Sequence, residues 1–103
     1  MKKTGIELIA EERQRQINVE GWTKEHDAMH TGGQLAYAAA VYAALPINIY
    51  YHDKQYADQH RFIELWPFDK SDLKPSPGNR IKELVKAGAL VLAEIERLQA
   101  NEL

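Results

Sequence analysis

Apolar positions recur with a helical period near both ends of the chain, and in a stretch between them polar positions disappear. Thr4-Gly5-Ile6-Glu7 has the form of a capping box, in which the Thr hydroxyl accepts from the third helical N–H and the Glu carboxylate reaches back to the cap. A first helix is predicted to open there. With positions about 100° apart, Ile6, Ile9, Ala10, Arg13 and Ile17 share one face, while Glu7, Glu11, Gln14 and Arg15 lie beside or opposite it. Arg13 is the odd member of that face. The pattern breaks across Asn18–Lys24 at Gly21, and Thr23 is placed to cap a short turn carrying His26, Asp27 and His30.

Gly32-Gly33 precedes Leu35–Leu45, a run without a single charge that is predicted to stop at Pro46. It is too short to span a bilayer, which takes about 20 residues. A helix apolar on every side has to be covered on every side, so self-association is expected. The stretch from Ile47 to Asn79 is mixed, punctuated by Pro67, Pro75 and Pro77, with a helical turn expected between Asp53 and Leu65. From Arg80 onward Ile81, Leu84, Val85, Gly88, Val91, Leu92, Ile95 and Leu98 form one stripe. Ala89, Leu90 and Ala93 lie off it, and this second face is assigned to a partner subunit. No strand and no internal repeat is predicted. The fold class is all-α: a small helical bundle with a long irregular connection, completed by homo-oligomerisation.

Length adds that 1–103 is a single domain, since domains usually run to about 100–150 residues. Thirteen Lys and Arg against fifteen Asp and Glu leave a formal charge of −2, so neither duplex nucleic acid nor an anionic membrane is expected as a partner. The absence of Cys excludes disulfides, thiol catalysis and Cys-type zinc sites. The charged start, without an apolar signal segment, makes a cytoplasmic location the expectation.

Four constellations carry candidate chemistry. In Glu11–Gln16, Glu12 and Gln16 lie one turn apart with Arg13 inside the apolar face. A guanidinium there needs a carboxylate or a phosphate; Glu94 is a candidate internal partner, and an anionic ligand held by Arg13 and Gln16 is the functional reading. His26 and His30 have a spacing that can hold one metal ion from one face, but without the Glu after the first His and the third ligand of a zincin-type site, solvated or capping histidines are the better reading. Trp22, on the Gly21 corner, either plugs the helix junction or stacks on a base. Lys82 and Lys86, four apart on the last helix, can meet a phosphate chain as point charges or stay solvated. No Walker loop, dinucleotide-binding glycine pattern or nucleophile elbow is present.

Glu12-Arg13-x-Arg15-Gln16, Glu20-Gly21-Trp22, His26-Asp27, His30, Gly33-x-Leu35-Ala36, Leu65-Trp66-Pro67, Lys74-Pro75, Leu84–Leu90 and Ala93–Leu98 resemble a family of small phage and prophage proteins, themselves similar to MazG-type all-α nucleotide pyrophosphohydrolases. That resemblance covers nearly the whole chain. It implies a helical homo-oligomer whose magnesium is held by a Glu-Glu-x-x-Glu segment and a Glu-x-x-Asp segment. Glu11 and Glu12 match the first pair, but Arg15 stands where the third Glu belongs, and Gln34 and Tyr37 stand where Glu-x-x-Asp belongs. Members commonly carry an Asp after the position of Asp27 and a Glu at that of Gln34; here these are Ala28 and Gln34. Magnesium requires hard oxygen ligands, so these replacements argue against efficient turnover while leaving room for a ligand pocket.

The reading that follows is a nucleotide-binding phage-type protein without catalysis and without a cofactor, sequestering a signalling nucleotide of host defence through Arg13, Gln16, Trp22, His26 and Lys86. The alternative is a magnesium-dependent nucleoside triphosphate pyrophosphohydrolase, with Glu12 and Asp27 catalytic and Glu11, Glu12, Asp27 and Glu94 on the metal. A third reading is an inhibitor of a host protein that docks through its apolar faces.

Overall fold

The computed structural model describes residues 2–50 and 65–102, of which 46–50 by backbone alone. Its elements are α1 (Gly5–Asn18), α2 (Lys24–Ala28), α3 (Gln34–Tyr50), a single 3₁₀ turn (Lys70–Asp72) and α4 (Arg80–Ala100). Among the described residues there is no strand, and no helix is long and apolar enough to cross a membrane. The helical turn expected between Asp53 and Leu65 lies outside the described residues but for Leu65.

Local chemistry sets the helix starts. Thr4 and Glu7 form the complete capping box of α1. The Thr23 hydroxyl accepts from the His26 N–H to open α2, and the Asn79 side chain accepts from the Lys82 N–H to open α4. Between α1 and α2 the chain turns at Gly21, whose φ of 75° is left-handed and open to glycine at no steric cost. The α3 helix continues through Pro46 rather than stopping at it. Proline's fixed φ is itself helical, and what it forfeits is one backbone donor and easy clearance of the carbonyl one turn back; the burial of Val41, Tyr42 and Leu45 just before it helps to offset that loss.

α4 is the central element, packed against α1, α2 and α3. The core joins Leu35, Ala38, Val41, Tyr42 and Leu45 of α3 to Ala87, Leu90 and Ala93 of α4, closed by Trp22 and Trp66. Which face of α4 turns inward is the reverse of the sequence expectation. Ala89, Leu90 and Ala93, assigned above to a partner, are fully buried, whereas Ile81, Leu84, Val91, Ile95 and Leu98 of the large apolar stripe are exposed. The physical reason is approach distance. Alanines on both α3 and α4 let the two helices come close together, and the bulky stripe does not fit between them. Ile9 of α1 lies so close to Gly88 that a Cβ there would stand 2.8 Å from its Cδ1, so the α1–α4 crossing also depends on a missing side chain.

Candidate functional site

The inward face of α1 is polar. Arg13 and Gln16 are its buried residues, and they point to opposite sides of the Trp22 corner. On one side the Arg13 guanidinium is consumed within the protein. Its Nη2 donates to Asp27 Oδ2 at 2.6 Å, its Nη1 to the Trp22 carbonyl at 3.1 Å, and its Nε to Glu96 Oε1 at 3.4 Å. Three segments are thereby tied together: α1, the α2 turn and the end of α4. The partner expected from sequence, Glu94, is instead bound by Arg97 at 2.6 Å. Glu94 and Glu96 are two positions apart, on nearly opposite sides of α4, so the side of α4 that meets α1 decides between them.

On the other side lies a polar chamber. Gln16, Trp22 and Lys86 meet there with Glu12, Arg15 and Glu20 of the α1 end, Tyr42 of α3 and Lys74 of the loop before α4. Arg15 donates to both Glu12 oxygens at 2.8 Å and to Glu20 at 3.1 Å; the Glu12 bonds, above all, hold it protonated. Lys74 donates to both oxygens of Glu20 at 3.1 Å. Glu20 loses some hydration by burial, yet the bonds from Lys74 and Arg15 outweigh that and hold its carboxyl below the usual range. The Tyr42 hydroxyl accepts from the Lys74 N–H at 3.0 Å, and burial raises its pKa, so its own proton is kept as a donor.

Two groups in the chamber lack a matching partner. Lys86 is only 8% exposed; its ammonium donates to the Lys74 carbonyl and to Ser76 Oγ, but among the described residues no carboxylate pairs with it. Burial accordingly lowers its pKa. Gln16 is 2% exposed, its Nε2 donates to Glu12 at 3.3 Å, and its Oε1 is a buried acceptor with no donor. An unsatisfied buried amide oxygen costs about 1–3 kcal/mol, and such groups in folded proteins call for an explanation such as a water or a ligand. The cavity beside them is about 10 Å³, the room one water needs. A ligand larger than one water does not fit the chamber as it stands.

Of the residues singled out in the sequence, the fold therefore unites Gln16, Trp22, Lys86 and Glu12. Arg13 and Asp27 sit behind Trp22 as an ion pair, and His26 stacks on the far face of the Trp22 ring with the planes 4° apart. Glu11 is at the surface, paired with Lys3. Glu94 lines an apolar groove between α3 and α4. Glu11, Glu12, Asp27 and Glu94 thus point to four different places, each with its own cation, and among the described residues no three His, Asp or Glu side chains are grouped for a metal. The sequence reading missed Arg15, Glu20, Tyr42 and Lys74. The signal available for Arg15 was its i,i+3 spacing from Glu12; nothing local points to Tyr42 or Lys74.

Removing one partner of the buried pair leaves the other charge uncompensated, so Arg13→Ala is expected to cost about 3–5 kcal/mol in urea unfolding of ligand-free protein. A near-neutral result, with ligand affinity reduced, makes Arg13 a ligand contact instead. For Glu20 the folded-state pKa lies below the unfolded value of 4.5. Its contribution is present above that value and is lost as pH falls through the folded pKa. Glu20→Gln is therefore expected to flatten the acid limb of the stability curve below about pH 4.5, measured by thermal melts from pH 6 to 3. An unchanged limb refutes the assignment.

The chain matches no family model, no curated protein and no solved structure.

Proposed function

We propose that the protein is a nucleotide-binding helical bundle that holds its ligand in the polar chamber without turning it over, and that it works as a homo-oligomer. The observation that carries the first part is the coincidence of an unpaired ammonium, Lys86, with an unpaired buried acceptor, Gln16 Oε1, in one cavity walled by Trp22. Gln16 Oε1 suits an exocyclic amine of a base, Lys86 and Lys74 suit phosphate oxygens, and the Trp22 ring offers a face for stacking. The resemblance to small phage proteins makes a signalling nucleotide of host defence the ligand class to test first. Binding without turnover is supported by Arg15, whose guanidinium occupies both oxygens of Glu12, the carboxylate the enzyme reading would place on magnesium.

Native mass spectrometry of purified protein with a panel of linear and cyclic nucleotides tests this directly. The expected result is a bound nucleotide, no pyrophosphate release with magnesium, and a loss of affinity of about 2–5 kcal/mol in Lys86→Gln, measured by calorimetry with folding checked by circular dichroism. Pyrophosphate release abolished by Glu12→Gln establishes the pyrophosphohydrolase reading in its place. A stable complex with a host protein and no ligand establishes the inhibitor reading.

Self-association is supported by the exposed stripe Leu84, Val91, Ile95 and Leu98, continuous with an apolar groove lined by Ala36, Ala40, Ala43 and Gly88. A contiguous apolar surface of this kind favours a partner at about 25 cal/mol per Å² before the costs of association. Sedimentation at micromolar concentration is expected to give a dimer or larger species, and Val91→Glu, which sets a charge in the stripe, a folded monomer. A wild-type monomer refutes it.

A further inference from the structure

We infer that His26 and His30 form a two-histidine site for a borderline divalent transition ion of the Zn²⁺ class, on the face of Trp22 opposite the polar chamber. Their Nε2 atoms are 3.2 Å apart. Two imidazole nitrogens bound to one tetrahedral zinc at about 2.05 Å stand roughly 3.3 Å apart, so the pair already has the spacing of a coordinated edge. Turning each ring about 35° from the N···N line brings both lone pairs onto the ion.

The surroundings are those of a ligand pair. His26 Nδ1 lies 3.3 Å from Asp27 Oδ1, while the other oxygen of that carboxylate is fixed by Arg13. A histidine that gives its Nδ1–H to a carboxylate has its Nε2 lone pair free and made more basic, which is how metal-bound histidines are commonly held. Asp27 is too well anchored to become a ligand itself, and it serves as the outer partner. The rings are held by neighbours rather than left as loose surface rotamers. His26 is stacked on Trp22, His30 meets Phe68 edge-on with centroids 5.0 Å apart, and the backbone between the two is fixed by bonds from Met29 N–H to His26 O and from His30 N–H to Asp27 O. With His26 Nδ1 protonated toward Asp27, the N–H between the two rings belongs to His30 Nε2 and points to His26 Nε2; metal binding moves that proton through solvent to His30 Nδ1, so both imidazoles stay neutral and both Nε2 lone pairs face the ion. Among the described residues no third His, Asp or Glu joins the pair, so the proposed site consists of the two imidazoles alone.

The test uses untagged full-length protein with His52 and His60 changed to Gln, so that His26 and His30 are the only histidines left. Calorimetry with Zn²⁺ at pH 7.5 is expected to give one ion per chain, with at least a tenfold loss of affinity in His30→Gln and in His26→Gln. On the unmutated pair, long-range ¹H–¹⁵N correlation spectra report the same thing without a further substitution: zinc is expected to move both Nε2 resonances and to leave His26 Nδ1 protonated. Absence of a zinc-dependent shift at Nε2, or unchanged zinc affinity in His30→Gln with its fold intact, overturns the site and leaves an N–H···N hydrogen bond only.

Discussion

A guanidinium buried among apolar side chains is the constraint around which the rest of this chain is arranged. Arg13 is 6% exposed, and a charge so placed is tolerated only when its donors are met by anions and carbonyls. Meeting it fixes the short α2 turn, because Asp27 has to reach Nη2, and fixes the Gly21-Trp22 corner, because the Trp22 carbonyl has to reach Nη1. Two further consequences come from the same bonds. The Trp22 ring becomes a wall of the polar chamber, and the free oxygen of Asp27 is left facing His26 Nδ1. Remove Arg13 and neither the chamber wall nor the histidine pair has a reason to stay where it is.

The second constraint is the division of labour on α4. Its inward face mixes alanines with Glu83 and Lys86, both buried. The alanines admit α3 at close range, and the charged residues hold the loop before the helix: Lys86 takes the Lys74 carbonyl and Ser76 Oγ, while Glu83 accepts from the Ser76 N–H at 3.3 Å. Leu90 goes inside with the alanines, while Ile81, Leu84, Val91, Ile95 and Leu98 are left outside; that exposed apolar surface is what the proposed self-association rests on.

The parts of this arrangement that were legible in the sequence are those written within a few residues. The Thr4–Glu7 box and the Thr23 cap are local hydrogen-bond chemistry, and both helices begin where those residues stand. Periodicity likewise revealed that the last helix is amphipathic, but a period does not say which side meets the protein. Leu90 and Ala93 are inside because α3 brings Ala38, Ala39 and Tyr42 against the same bundle core, and that pairing is not written in α4 alone. Gln16, Trp22 and Lys86 could be singled out by type and spacing, yet the cations and carboxylates that share their chamber come from as far as Lys74, through contacts such as Lys74–Glu20 across 54 positions of chain. Arg13 was readable as a charge in need of a partner; its partner was not, because α2 lies beyond a glycine corner whose direction no helical wheel contains.

The same bonds that close the chamber also set what can open it. The Lys74–Glu20 pair has a cation more than half exposed, and pairs of that kind contribute about 0–1 kcal/mol. Lys86 gives the loop two hydrogen bonds but has no carboxylate partner among the described residues, so a phosphate oxygen would offer it what the loop carbonyl cannot, a full negative charge. Under the proposed reading, lifting the loop would exchange weak or uncharged contacts for charge-assisted ones and would bring a donor of the ligand within reach of Gln16 Oε1. The Arg15 clamp on Glu12 stays out of that exchange because it lies within α1, whereas Glu20 is shared between Arg15 and the loop's Lys74. A chamber built this way has one rigid wall, held by Arg13 and Arg15, and one exchangeable wall held by Lys74 and Lys86. Under the proposed nucleotide reading, that asymmetry would set the ligand's negative charge at the α4 end, beside Lys86, with its uncharged donor facing Gln16.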